Sequence, residues 1–121
     1  MPIESTITKS IIAYIKQLGG QAEKVKGDSS SSGRPDINAC YKGRCLRIEV
    51  KTPDHGNVAS KKQKVNLARW RHAGAVTMTV YSKRAVMFFI DCIDKGMTGS
   101  VIYEYDKLFS TAYIPEVSTN D

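Results

Sequence analysis

A chain of 121 residues, 41% hydrophobic and 25% charged, has the balance of an ordinary globular domain with room for one modest core. No apolar run reaches the roughly 18 residues of a helical membrane span, and the opening MPIESTITKS lacks the apolar stretch of a signal peptide, so a cytoplasmic location is expected. The net charge is +6, and nine of the 18 Lys and Arg fall between Lys42 and Arg71, against only Glu49 and Asp54. That clustering suits a phosphate-backbone partner, although a solvated basic face explains the charge alone equally well.

Taken in chain order, Glu4 to Leu18 reads as a helix, because Ile7, Ile11, Ile15 and Leu18 recur at helical spacing and Gly19-Gly20 follows. Glu4 lies on the same stripe, where its ordinary role is a first-turn acid facing the helix dipole. Gln21 to Lys26 alternates weakly and suggests a short strand; Gly27 to Gly33 is a polar loop. Asp36–Tyr41 and Arg44–Lys51 are strand candidates joined by Lys42-Gly43, a two-residue hairpin connection. A loop with His55 leads to Ser60 and a helix from Lys61 to about Ala73, stopped by Gly74. Ala75–Tyr81 is β-rich, and Ser82 caps a further helix to about Lys95, closed by Gly96. In the remainder, Val101–Tyr105 reads as a strand. The order α-β-β-β-α-β-α is an α/β layer architecture.

Cys40, Cys45 and Cys92 have no CxxC spacing and no neighbouring His pair, which argues for free thiols and against a zinc site. His72 sits near a helix C-terminus, where it complements the last carbonyls. Trp70 shares helical spacing with Gln63 and Leu67 and is expected in the core rather than as a base-stacking platform.

If Lys42-Gly43 forms the turn, Tyr41 faces Arg44, Cys40 faces Cys45, and the register is fixed. Ile37 then meets Ile48 and Ala39 meets Leu46 on an apolar face; Asn38 meets Arg47 and Asp36 meets Glu49 on the other. Glu49 and Lys51, two apart, share that second face. Two ionised carboxylates about 5 Å apart repel by roughly 3 kcal/mol at an effective dielectric near 20. A divalent cation between them removes the conflict, since Mg²⁺ takes one or two carboxylates together with phosphate oxygens. An acidic pair, a lysine and a basic surround are the parts of metal-assisted phosphodiester hydrolysis.

The stretches Pro35-Asp36 and Glu49-Val50-Lys51 resemble the signature of the PD-(D/E)xK nucleases. Glu4 in the first helix, Leu18-Gly19-Gly20, Gly33-Arg34-Pro35-Asp36, Glu49-Val50-Lys51 and Gln63 together resemble the virus-type replication-repair nuclease (VRR-NUC) domain, over about residues 4 to 95. The resemblance implies a restriction-endonuclease-like core, a central mixed sheet flanked by helices. Residues 1–96 would be the nuclease domain and 97–121 an extension of it, serving dimerisation or covering an edge. It further implies a metal-dependent DNA endonuclease. Asp36 and Glu49 would bind Mg²⁺ or Mn²⁺, with the Val50 carbonyl as a third ligand and Glu4 acting directly or through water. Lys51 would position or help deprotonate the attacking water, and Gln63 would hydrogen-bond near the metal or the scissile phosphate. For Gln63 there is a competing role, since Ser60-Lys61-Lys62-Gln63 is also a capping box. Arg34, Lys61, Lys62 and Lys64 would contact phosphates without reading sequence. The implied partner is DNA, branched as in a four-way junction, met by a homodimer with no small-molecule cofactor. Two rival functions share these residues: a sequence-specific restriction-type endonuclease, and a non-catalytic nucleic-acid-binding module.

Overall fold

The computed structural model describes residues 4–25, 34–52 and 61–111, with side chains as far as Leu108. The elements are α1 (Glu4–Gln17), β1 (Gln21–Lys24), β2 (Ile37–Tyr41), β3 (Arg44–Val50), α2 (Lys61–His72), β4 (Val76–Val80), α3 (Lys83–Asp94) and α4 (Gly99–Thr111). The strands form one sheet in the order β1-β2-β3-β4, antiparallel except for the parallel pair β3–β4, which α2 connects.

The hairpin follows the register expected from its turn, with Ile37 opposite Ile48, Ala39 opposite Leu46, and Tyr41 opposite Arg44. Lys42 and Gly43 both take positive φ, 50° and 78°, as a type I′ turn requires and as the right-handed twist of the flanking strands favours. The alternation then sorts the side chains. Ile37, Ala39, Leu46, Ile48 and Val50 join Val76, Met78 and Val80 in a core completed by Ile7, Ile11 and Ile15 of α1 and by Val86, Phe89, Ile90 and Ile93 of α3. The other face carries Arg47, Glu49, Thr77 and Thr79, which are register partners across β3 and β4. Helix α2 lies over this polar face and buries only Leu67 of its own. Ser82 caps α3 by accepting from the Ala85 N–H at 3.3 Å.

Helix α1 ends in a tight reversal. Gly19 has φ 94° and its N–H donates to the Lys16 carbonyl, while the Gly20 N–H donates to the Ile15 carbonyl, the paired bonds of a Schellman motif. A Cβ at Gly20 would stand 2.8 Å from the Cys40 carbonyl oxygen and 2.9 Å from Ile15 Cγ2. This close approach seats the start of β1 against the β2 backbone. Gly20→Ala should therefore destabilise the protein by about 1–3 kcal/mol, the usual cost of overpacking, measurable as a lowered midpoint in urea.

Residues Val101–Tyr105, expected as a strand, are helical within α4. The Thr98 hydroxyl accepts from the Val101 N–H at 3.2 Å and caps this helix, and Ile102 and Asp106, four residues apart, point inward together. The Asp106 carboxylate accepts the Thr79 N–H at 2.8 Å, on the side of β4 away from β3, so α4 covers what would otherwise be a bare sheet edge. Among the described residues no helix is long and apolar enough to cross a membrane.

Candidate active site

The hairpin ladder stops at the pair Ile37–Ile48, because the next rung would need a donor from Pro35, which has none. Asp36 thus falls just before β2 rather than inside it, and does not form the strand pair with Glu49 that the register suggested. Its carboxylate instead replaces the missing rung: Oδ2 accepts the Val50 N–H at 2.7 Å. That bond fixes Asp36 at the C-terminal end of β3, beside Glu49.

Glu49 is 1% exposed, on the polar face under α2. Its Oε2 accepts from the Gln63 amide of α2 and lies 3.2 Å from the Lys51 ammonium. Its Oε1 is buried and has no hydrogen-bond partner among the described residues. Burial, reinforced by the nearby Asp36 charge, pushes the Glu49 carboxyl up to about 8, against the pull of Lys51; Glu4 adds the weakest upward push. Without a cation, Glu49 is therefore mostly protonated at neutral pH. The expected juxtaposition of two acids exists, and the protein answers it with a proton and a lysine.

Glu4 opens α1 and is exposed. It is near enough to act on Glu49 through its charge, yet among the described residues no three acidic, histidine or cysteine side chains gather into a ready-made metal cluster. Gln63 reaches the site, as its bond to Glu49 shows; Ser60, the other half of the alternative capping box, lies outside the described residues. His55 lies outside them as well. Arg34 is exposed one residue before Pro35, and Lys61, Lys62 and Lys64 are exposed on the first turn of α2, whose N-terminus favours anions.

The donor set fits a hard cation. Two carboxylates meet where one buried oxygen lacks a partner, and oxygen ligands of this kind suit Mg²⁺ or Mn²⁺.

Trp70 departs from its expected place in the core. The sheet face beneath α2 is polar, so Trp70 stays 36% exposed and stacks on the Arg47 guanidinium, 3.9 Å from its ring centre. Cys40 and Cys45 face each other across the hairpin as free thiols, and Cys92 is free as well.

No family profile and no curated protein matches the sequence. Among solved structures, one titled "VRR_NUC domain" superposes with a TM-score of 0.60 at 26% identity, covering 73% of this chain and 94% of its own. The chain has a VRR_NUC-like fold. A second similar structure is the Holliday junction resolvase Hjc of Archaeoglobus fulgidus, with a TM-score of 0.53 at 23% identity over 64% of this chain and 67% of that one. The VRR_NUC-like architecture agrees with the family that the Pro35-Asp36 and Glu49-Val50-Lys51 motifs resemble, and with the expected mixed sheet flanked by helices.

Proposed function

We propose that this VRR_NUC-like chain is a divalent-metal-dependent endonuclease that hydrolyses phosphodiester bonds in branched DNA, with four-way junctions as the preferred class, and that it works as a homodimer. The observation that carries the reading is Glu49: a buried carboxylate with an unpartnered oxygen, pressed by Asp36 and contacted by Lys51 and Gln63. Purely structural carboxylates are seldom kept in such a setting, because burial without a matched partner is costly.

Asp36, Glu49 and the Val50 carbonyl would hold Mg²⁺ or Mn²⁺, with Glu4 contributing through water from the rim. When bound, the cation supplies Lewis acidity at the scissile phosphate. The chain's own groups do the rest. The Val50 N–H locks one Asp36 oxygen, and Gln63 holds Oε2 of Glu49, so both carboxylates are oriented before substrate arrives. The Lys51 ammonium, beside Glu49, orients the attacking water and offsets charge that develops at the phosphate only in the transition state. A two-fold dimer would present two such sites to a symmetric junction, and the archaeal resolvase named above lends that substrate class support.

The basic start of α2 would hold the DNA backbone. Replacing Lys61, Lys62 and Lys64 together by alanine should weaken binding to every DNA and lower the salt slope by about 0.9 for each duplex phosphate that is no longer neutralised. Fluorescence anisotropy across a salt series reads that slope, and an unchanged slope would make these lysines an ordinary solvated face. The function itself is tested by incubating purified protein and Mg²⁺ or Mn²⁺ with four-way junctions, flaps, linear duplexes and single strands. Preferred cutting of branched forms supports the reading. Cutting of linear duplex at one sequence would instead favour a restriction-type enzyme, and no cutting of any form would leave only a binding module.

A further inference from the structure

Helix α2 meets the polar face of β3 near both of its ends. At one end Gln63 meets Glu49; at the other Trp70 meets Arg47. Gln63 and Trp70 are seven residues apart, so they share one helix face about 10.5 Å apart along the axis. The first contact belongs to the candidate active site. The second has no part in the chemistry, and it leaves Trp70 36% exposed on a helix that buries only Leu67.

We infer that the Arg47–Trp70 stack is a nucleobase subsite, which receives an unpaired or unstacked base of the DNA a few nucleotides from the scissile phosphate. The inference rests on the nuclease reading above and specifies which feature of a branched substrate is recognised. Three observations carry it. Arg47 stacks at 3.9 Å, which holds the indole in place and lowers the entropy that a base must overcome to stack on it. Arg47 Nη1 donates to the Leu46 carbonyl at 2.8 Å, so the guanidinium that stacks on the indole is itself anchored to the β3 backbone. The surroundings match the charge of a nucleic acid, for α2 contains Lys61, Lys62, Lys64, Arg69 and Arg71 and no acidic residue.

An exposed aromatic ring in a basic setting is the standard element of single-strand recognition, because every base has a π-face and stacking needs no particular sequence. A fully paired duplex buries its base faces against one another and offers none to Trp70. The separation of about 10.5 Å corresponds to roughly three stacked base steps at about 3.4 Å each. An open base at a branch point would thus reach Trp70 while a phosphate nearby reaches Glu49 and Lys51. Selectivity for branched DNA then follows from one side chain as well as from dimer geometry.

Trp70 is the single tryptophan of the chain, so tryptophan emission, excited selectively over tyrosine, reports on it alone. Wild-type protein in EDTA, which prevents cutting, is titrated with a four-way junction, a flap, a single strand and a blunt duplex of equal length, with anisotropy of labelled DNA giving occupancy. Tryptophan emission should be quenched by the three forms that offer unpaired or readily unstacked bases, and scarcely by the bound blunt duplex. Trp70→Ala should weaken binding of those three forms by about 5- to 150-fold, the range of base stacking, and leave duplex affinity nearly unchanged; Trp70→Phe should restore most of the loss. Unchanged emission when DNA is bound, or equal quenching by blunt duplex, overturns the subsite while leaving the nuclease reading intact. Absence of binding to any DNA, seen in the anisotropy, defeats both.

Discussion

Stripped of divalent metal, the wild-type protein should lose stability as pH rises from 4.5 to about 8, and Glu49→Gln should escape the share of that loss that Glu49 causes. The sign follows from proton linkage. Folding raises the Glu49 carboxyl from 4.5 to about 8, so between those values the folded state holds more protons than the unfolded one. Stability then falls with rising pH, fully present below the unfolded value and lost as pH passes the folded one. At about 1.4 kcal/mol for each tenfold change in proton affinity, the whole loss amounts to a few kcal/mol, a large share of the stability of a domain this size. Asp106, raised to about 7 mainly by burial, contributes a decline of the same sign from 3.8 upward, in wild type and variant alike. The difference between the two proteins isolates Glu49, and above pH 7 it should be the dominant contrast. Urea midpoints at pH 5, 7 and 8.5 in EDTA measure it. Added Mg²⁺ or Mn²⁺ should reverse the loss in wild type by mass action, with affinity increasing with pH because the cation displaces a proton, and should help the variant far less.

Lys51→Met should reduce cleavage by about 10²- to 10⁴-fold, the range for a positioned group that handles a proton. DNA affinity should change little, since the lysine side chain is only 14% exposed and faces Glu49 at 3.2 Å rather than the solvent. The same change removes the main positive neighbour that draws the Glu49 carboxyl down, so Glu49 in the variant should hold its proton to still higher pH. Metal-dependent stabilisation at pH 7 should weaken accordingly. Single-turnover cleavage, anisotropy and thermal melts of the one variant separate these effects. A lysine serving only as a salt-bridge partner would lower stability and leave the rate per folded molecule unchanged.

The parts of this fold governed by local rules were legible in the sequence. The Lys42-Gly43 turn set the hairpin register, the register sorted apolar from polar faces, and Gly19-Gly20 ended α1 as its composition suggested. The parts governed by tertiary contacts were not. Val101 to Tyr105 reads as strand because Val, Ile and Tyr favour extended backbone, yet burial of Ile102 and Asp106 against β4 decides for helix. Thr98, whose hydroxyl accepts from the Val101 N–H, is the residue in the sequence that could have marked this helix start. Trp70 has core spacing on α2, but what lies beneath a helix cannot be read from the helix alone, and here it is Arg47. Asp36 lies near enough to Glu49 to act on it through its charge, but Pro35 ends the ladder one rung earlier than alternation suggests and leaves Asp36 to bond the Val50 N–H through its side chain.

If Glu49 and Asp36 are kept together to bind a cation for DNA hydrolysis, the decisive comparison is between wild type and Glu49→Gln. Single-turnover cleavage of a four-way junction is followed for both, with Mg²⁺, with Mn²⁺ and with EDTA, while anisotropy follows binding of the same junction. Wild type should cut only with the divalent metals. Glu49→Gln should bind the junction with nearly wild-type affinity and cut it more than about 100-fold more slowly, beyond the loss usual for a residue that merely orients a ligand. Cutting by Glu49→Gln at near wild-type rate, or by wild type in EDTA, would refute the proposed role of the two carboxylates.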